Sequence, residues 1–170
     1  MKAYIRFVSA INDAIGKAAA LLNLAIVALV SIDVVVRYFF KQTSAFFYEM
    51  EWHLFSLLFL LSAGWTLRHD RHVRVDIFYA KLSDQRKALV NLLGTLIFLL
   101  PFCIVIIATG VPYTLNAFVS NEASPDSGGL PFRWIIKSSI VVGTGLLLLQ
   151  GIGLLLESLS MLRQTKENSN

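Results

Sequence analysis

ALVNLLGTLIFLLPFCIVIIATGV, residues 88–111, runs for 24 positions without an Asp, Glu, Lys, Arg or His. A helix rises ~1.5 Å per residue and the hydrocarbon core of a bilayer is ~30 Å thick, so about 20 apolar residues cross it. Three further stretches share this character: 18–32 (continuing to Val36 past Asp33), 54–67 and 138–156. The stretch at 54–67 reaches span length only by including Glu49 to His53, whose polar ends can sit among the headgroups. With 56% hydrophobic residues gathered into four blocks, the chain does not read as a soluble domain. The fold class expected is an all-α integral membrane protein, one domain of four transmembrane helices spanning about 17–37, 48–67, 87–111 and 135–158.

Positive charge sets the expected orientation, because Lys and Arg in short loops are retained on the cytoplasmic side. Lys2, Arg6 and Lys17 precede the first span. Arg68, Arg71, Arg74, Lys81, Arg86 and Lys87 lie between the second and third, and Arg163 and Lys166 follow the fourth. These are eleven of the fifteen basic residues, against Arg37, Lys41, Arg133 and Lys137 on the other side, which places both termini and the middle loop in the cytoplasm. The net charge of +4 is thereby topological, and no nucleic-acid recognition module accompanies it. Tyr38, Phe39, Phe40, Phe46, Phe47, Tyr48 and Trp52, with Tyr113, Phe118, Phe132 and Trp134, form aromatic belts at the outer border. No cleavable signal peptide is recognisable, so the first span reads as an uncleaved anchor. Cys103 is the only cysteine and excludes an intrachain disulfide.

Two segments read as helical without spanning. Tyr4, Phe7, Val8, Ile11 and Ile15 recur at helical spacing while Lys2, Arg6, Asp13 and Lys17 gather elsewhere, the pattern of an N-terminal amphipathic helix over 2–16 lying in the interface. Val75, Phe78, Tyr79 and Leu82 repeat the theme in a cytoplasmic interfacial segment between the second and third spans. Phe7, Ile11, Arg68, Arg71, Arg74 and Phe78 are the candidate interfacial anchors, with membrane lipid as their partner. Ser83 has the character of an N-cap for the third span. Pro101 removes a hydrogen bond there and predicts a kink. Ser139 and Gly143, with Gly145, Gly151 and Gly153 beyond, predict close backbone approach by the fourth span.

Candidate chemistry sits at the borders. Asp33 and Arg37, and likewise Glu49 and His53, are four apart and placed to meet on one helical face, with Glu51 adding negative charge. They are read either as border charges paired among themselves or as polar contacts to another membrane subunit, with Asp33, Arg37, Glu49, Glu51 and Trp52 as candidate interface residues. His69 and His72, with Asp70 and Asp76, have a spacing that metals use, but Arg68, Arg71, Arg74 and Arg86 would repel a cation, so no metal site is expected. A haem-bearing redox anchor would require intramembrane histidine pairs, and only His53, near a border, is on offer. An independent small carrier would require scattered Ser, Thr, Asn and Gln to converge into a path. No catalytic, substrate-binding or cofactor-binding residue is expected.

Arg37, Glu49 to Trp52, Gly64-Trp65, Arg68, His72 and Val75-Asp76, followed by Gly128-Gly129-Leu130-Pro131, Trp134 and Lys137, resemble the pattern of the DctQ-like small membrane subunit of tripartite ATP-independent periplasmic (TRAP) transporters. The chain carries Glu49-Met50-Glu51 where that family commonly has adjacent glutamates. The resemblance implies a non-enzymatic small permease subunit in the bacterial inner membrane. It would scaffold a large elevator-type membrane subunit during sodium-coupled uptake of a small organic acid delivered by a periplasmic substrate-binding protein. Sodium coupling is then expected in the partner subunit, and Glu122, Asp126 and Arg133 are candidates for touching the binding protein. The absence of ionisable residues deep in the spans agrees with a chain that does not couple ion flow by itself.

Overall fold

The computed structural model describes residues 2–69, 79 and 81–167, in which four helices and no strand are found. They are α1 (Lys2–Phe40), α2 (Ala45–Arg68), α3 (Asp84–Val119) and α4 (Trp134–Glu167). Lys2–Phe40, Asp84–Val119 and the Trp134–Gln164 part of α4 are each long and apolar enough to cross a bilayer. The 24 residues of α2 give it a length of ~36 Å, but Glu49, Glu51 and His53 dilute its apolar content. The expected segment around Val75 and Phe78, and the anchors Arg71 and Arg74, lie outside the described residues.

Residues 2–16 do not form a separate interfacial helix. They are the opening turns of α1, a single helix of 39 residues and thus ~58 Å. The change of polarity near Lys17 suggested a boundary, yet the backbone carries no breaker there: Gly16 is used for contact, since a Cβ on it would come within 2.7 Å of the Trp65 side chain. The expected apolar stripe also divides. Val8 is buried with Ser9, Asn12, Gly16 and Ala19, whereas Phe7 points outward. The inward face is a polar seam. Asn12, 1% exposed, donates from Nδ2 to Gln150 Oε1 at 3.1 Å and to the Val8 carbonyl at 3.2 Å. Tyr4 donates to the Leu149 carbonyl at 3.0 Å. Arg68 pairs with Asp13 and donates to the Ser9 carbonyl at 2.5 Å. One end of α1 is thereby tied to both α2 and α4.

Helix α4 is the hub, touching α1, α2 and α3, while α1 lies mainly along α2. In lipid there is no hydrophobic gain from bringing helices together, so small residues that admit close backbones decide the contacts. Gly143 meets that requirement against α2: an added Cβ would lie 2.8 Å from the carbonyl carbon of Leu60. Ser139, one turn earlier, is buried and returns its hydroxyl to the Ile136 carbonyl at 2.6 Å, which removes its polar cost. The small-residue spacing read from the sequence therefore marks the α2–α4 contact. Gly145 is different, because nothing lies within 4 Å of its Cβ position.

Helix α3 opens after Ser83, which is extended as an N-cap should be but makes no side-chain capping bond. Its carbonyl instead accepts from Lys87 N–H at 2.9 Å. Farther along, Thr95–Leu99 form a π turn, with Leu100 N–H reaching back to the Thr95 carbonyl. The wider turn lies immediately before Pro101, whose ring has no N–H and crowds the carbonyl four residues earlier. The irregularity expected at Pro101 thus takes the form of a π turn. A second proline, Pro112, lies within the C-terminal half of α3.

A matched pair of substitutions tests the hub. Gly143→Ala is expected to destabilise the chain by about 1–3 kcal/mol through overpacking, whereas Gly145→Ala should be neutral or slightly stabilising. Thermal unfolding in mild detergent, followed by helical circular dichroism, reads the difference; equal midpoints for the two variants would contradict this packing.

Candidate functional site

The loop between α3 and α4 folds back over the start of α2 and encloses a polar site. Its first step is a helix stop. Asn121, at φ 49°, follows the last turn of α3 in the left-handed region that Asn tolerates better than most residues. Glu122 N–H bonds the Ala117 carbonyl at 2.9 Å and Asn121 N–H bonds that of Phe118 at 3.1 Å, the paired pattern of a Schellman cap. The chain then turns over Asp126 to Gly129, with Gly129 N–H on the Asp126 carbonyl at 3.0 Å and Gly128 at φ 79°. Ser124 N–H donates to the Leu130 carbonyl at 3.0 Å and closes the loop.

Into this loop projects the carboxylate of Glu49, from the first turns of α2 and only 2% exposed. It accepts from the Ser124 hydroxyl, from Leu130 N–H at 2.6 Å and from Arg133 Nη2 at 3.1 Å. A buried charge costs several kcal/mol unless a partner and hydrogen bonds compensate it, and here both are supplied. Gly129 is needed for this approach, since a Cβ there would stand 2.8 Å from Glu49 Oε2 and 2.5 Å from the Ser124 Cβ. Beside the lock, Lys137 Nζ pairs with Glu122 at 2.5 Å and stands 3.9 Å from the centre of the Tyr113 ring. Phe118 and Trp134 meet edge to face at 5.4 Å across the same end. The arrangement holds chain segments together; no nucleophile faces a base across an open cleft.

The residues singled out in the sequence are not gathered into one site. Asp33 and Arg37 do pair along α1, the acid 4% exposed and the guanidinium largely exposed. Glu49, expected at a contact with another subunit, is instead taken up by its own chain and has no surface to offer. Its expected side-chain pairing with His53 is also replaced: His53 Nδ1 lies 2.6 Å from the Glu49 carbonyl oxygen, while the carboxylate turns away to the loop. Glu51 remains beside it, with one carboxylate oxygen buried and unpartnered. Trp52 packs on His53 with ring centres 3.9 Å apart and lines the crevice between α2 and α3. At the other end His69 lies 3.8 Å from Asp13, whereas His72, Asp70 and Asp76 fall outside the described residues. Ser124 escaped the sequence reading and Leu130 entered it only as part of the Gly128–Pro131 pattern, because a hydroxyl and a backbone N–H carry no periodic signal. The glycine pair and the basic residue in the same short loop were the available clue.

An apolar helical array with polar locks at its ends defines the class as a multi-pass membrane protein. Residues 26–161 match the sequence profile of the family described as tripartite ATP-independent periplasmic transporters, DctQ component. The chain belongs to that family and is a small membrane subunit of a TRAP transporter. No curated protein matches it.

Removing one partner of the lock should be costly. Arg133→Ala, which leaves Glu49 buried with two neutral donors, is expected to destabilise by about 3–5 kcal/mol, and Glu49→Gln by less, because the charge itself is removed. Thermal unfolding together with limited proteolysis at 120–133 reads both effects; an unchanged midpoint and an uncut loop in Arg133→Ala would dismiss the lock.

Proposed function

We propose that this subunit is a static scaffold. It widens and steadies a large membrane subunit that moves as an elevator during sodium-coupled uptake of a small organic acid delivered by a periplasmic binding protein. The observation that supports this reading is where the buried polar groups lie. Glu49 and Arg133 at the loop end, and Asn12, Gln150, Arg68 and Asp13 at the other, are engaged with one another across helices. The stretches between, such as 88–111, carry no Asp, Glu, Lys, Arg or His. A chain that coupled ion movement would place ionisable groups along a path through the bilayer. A scaffold needs rigid ends, packed helices and an apolar outer surface. Substrate and sodium sites then belong to the large subunit, and no cofactor or metal is required here.

In this reading α2 is the fourth span, the protein resides in the bacterial inner membrane, and both termini are cytoplasmic. The loop at 120–133 then faces the periplasm, where Glu122 and Asp126 are available to the binding protein. Arg37, held by the buried Asp33, together with Glu51 and Trp52, offers the border contacts to the large subunit. Exposed apolar residues of α1, among them Leu24, Val27 and Val34, supply the surface between.

Two measurements test this. Proteoliposomes holding the large subunit and binding protein should take up substrate only when this chain is included, and the chain alone should transport nothing; uptake by the chain alone would make it an independent carrier. For orientation, a membrane-impermeant maleimide should label Asp126→Cys in intact spheroplasts and Gln164→Cys only after permeabilisation. Native Cys103 is fully buried and contributes little background. The reverse labelling order would invert the topology.

A further inference from the structure

Helices α2 and α3 both pack on α4 and leave a crevice of about 240 Å³ between them at the loop end. Its walls are Trp52, Ser56 and Leu60 of α2, Tyr113 of α3, and Ile136, Lys137 and Ile140 of α4, with Glu122 and Arg133 at the rim. Apart from Trp52 and Glu122, the scaffold reading gives these residues no role beyond closing the loop. Their order along the helices is graded. Trp52, Ser56 and Leu60 descend by four residues at a time, ~6 Å per step, while Arg133, just before α4, is followed down that helix by Lys137 and Ile140. The crevice therefore passes from charged, through hydroxyl and ammonium, to apolar along the direction in which a bilayer does the same.

The charges are also graded. The Lys137 side chain is 12% exposed and the Glu122 side chain 34%, so the cation lies deeper than the anion. An ammonium has three donors: Glu122 takes one and the Tyr113 ring faces another, which leaves one for an acceptor in the crevice. Arg133 gives Nη2 to Glu49, and although its side chain is 26% exposed, its Nε is covered and meets no acceptor within the chain. The site thus lacks an acceptor at depth, while a carboxylate waits farther out. A phosphate below a primary ammonium supplies both, and acyl chains leaving between Leu60 and Ile140 would find apolar walls.

We propose that this crevice is a binding site for one phospholipid with a zwitterionic, primary-ammonium headgroup, its phosphate accepting from Lys137 and from the exposed edge of the Arg133 guanidinium and its ammonium donating to Glu122. The lipid fills the gap between α2 and α3 that protein side chains leave open. It extends to the bilayer the same charge pairing that locks the loop. Free inorganic phosphate offers the acceptor without the ammonium or the chains, and an acidic side chain of another subunit offers only the acceptor.

The test uses the full chain, with whatever subunits co-purify, incorporated into nanodiscs containing equal parts phosphatidylethanolamine, phosphatidylglycerol and phosphatidylcholine. Native mass spectrometry after detergent release counts retained lipid. One phosphatidylethanolamine per chain is expected, favoured over each of the other two by about tenfold or more. Lys137→Gln, which removes the inner donor, and Ser56→Phe, which fills the crevice without touching an ion pair, should each abolish that retention while helical circular dichroism is unchanged. The proposal is overturned if no lipid is retained stoichiometrically, or if all three headgroups are retained alike. It is equally overturned if a well-folded Ser56→Phe keeps its lipid, or if millimolar inorganic phosphate displaces the lipid and takes its place.

Discussion

A single carboxylate sets the shape of one end of this molecule. Glu49 stands at the start of α2, and its three donors come from Ser124, Leu130 and Arg133, which lie 75, 81 and 84 residues away in the chain. Because those donors belong to the loop and to the approach to α4, the acid fixes where α3 must stop and how α4 must enter. The left-handed Asn121, the turn at Gly128 and the crowded Gly129 all follow from bringing the backbone to that point. The loop is therefore held by electrostatics, in a region where apolar packing cannot hold it.

The opposite end uses different chemistry for the same purpose. Asn12 and Gln150 join as neutral amides, and the Arg68–Asp13 pair closes over them. Interhelical polar bonds in membranes average only ~0.6 kcal/mol, so their contribution is to register as much as to stability. Between the two ends the helices rely on close approach at Gly143 and on apolar side chains facing outward. Such a division suits a membrane component whose working surface is its side. The ends keep four helices at fixed heights, and the apolar flanks stay available to neighbours.

How much of this was legible in the sequence depends on the range of the interaction concerned. The helices were visible because apolar runs such as 88–111 and the helical spacing around Ser139 and Gly143 are local signals. The continuity of α1 was not, because the polarity change near Lys17 imitates a boundary that the backbone does not have. Asn12 carries no distinguishing signal in the sequence, yet it is among the most buried of the described residues. The fate of Glu49 was hidden for a deeper reason. Its spacing to His53 suggested a local pair, and nothing periodic announces a partner more than seventy residues away.

The π turn in α3 alters how that helix must be counted. Ala88 and Thr95 are buried seven residues apart, as are Cys103, Gly110 and Ala117, but the step from Thr95 to Cys103 is eight. In an unbroken α-helix the eighth residue would be rotated about 80° away from the seam set by the first pair. The wide turn absorbs the surplus position, so both halves present their small residues to α4. Thr95–Leu99 thus behaves as a one-residue insertion that the helix has swallowed. The two halves of α3 are in separate frames, and deleting a single residue within the turn would join them into one continuous sevenfold repeat.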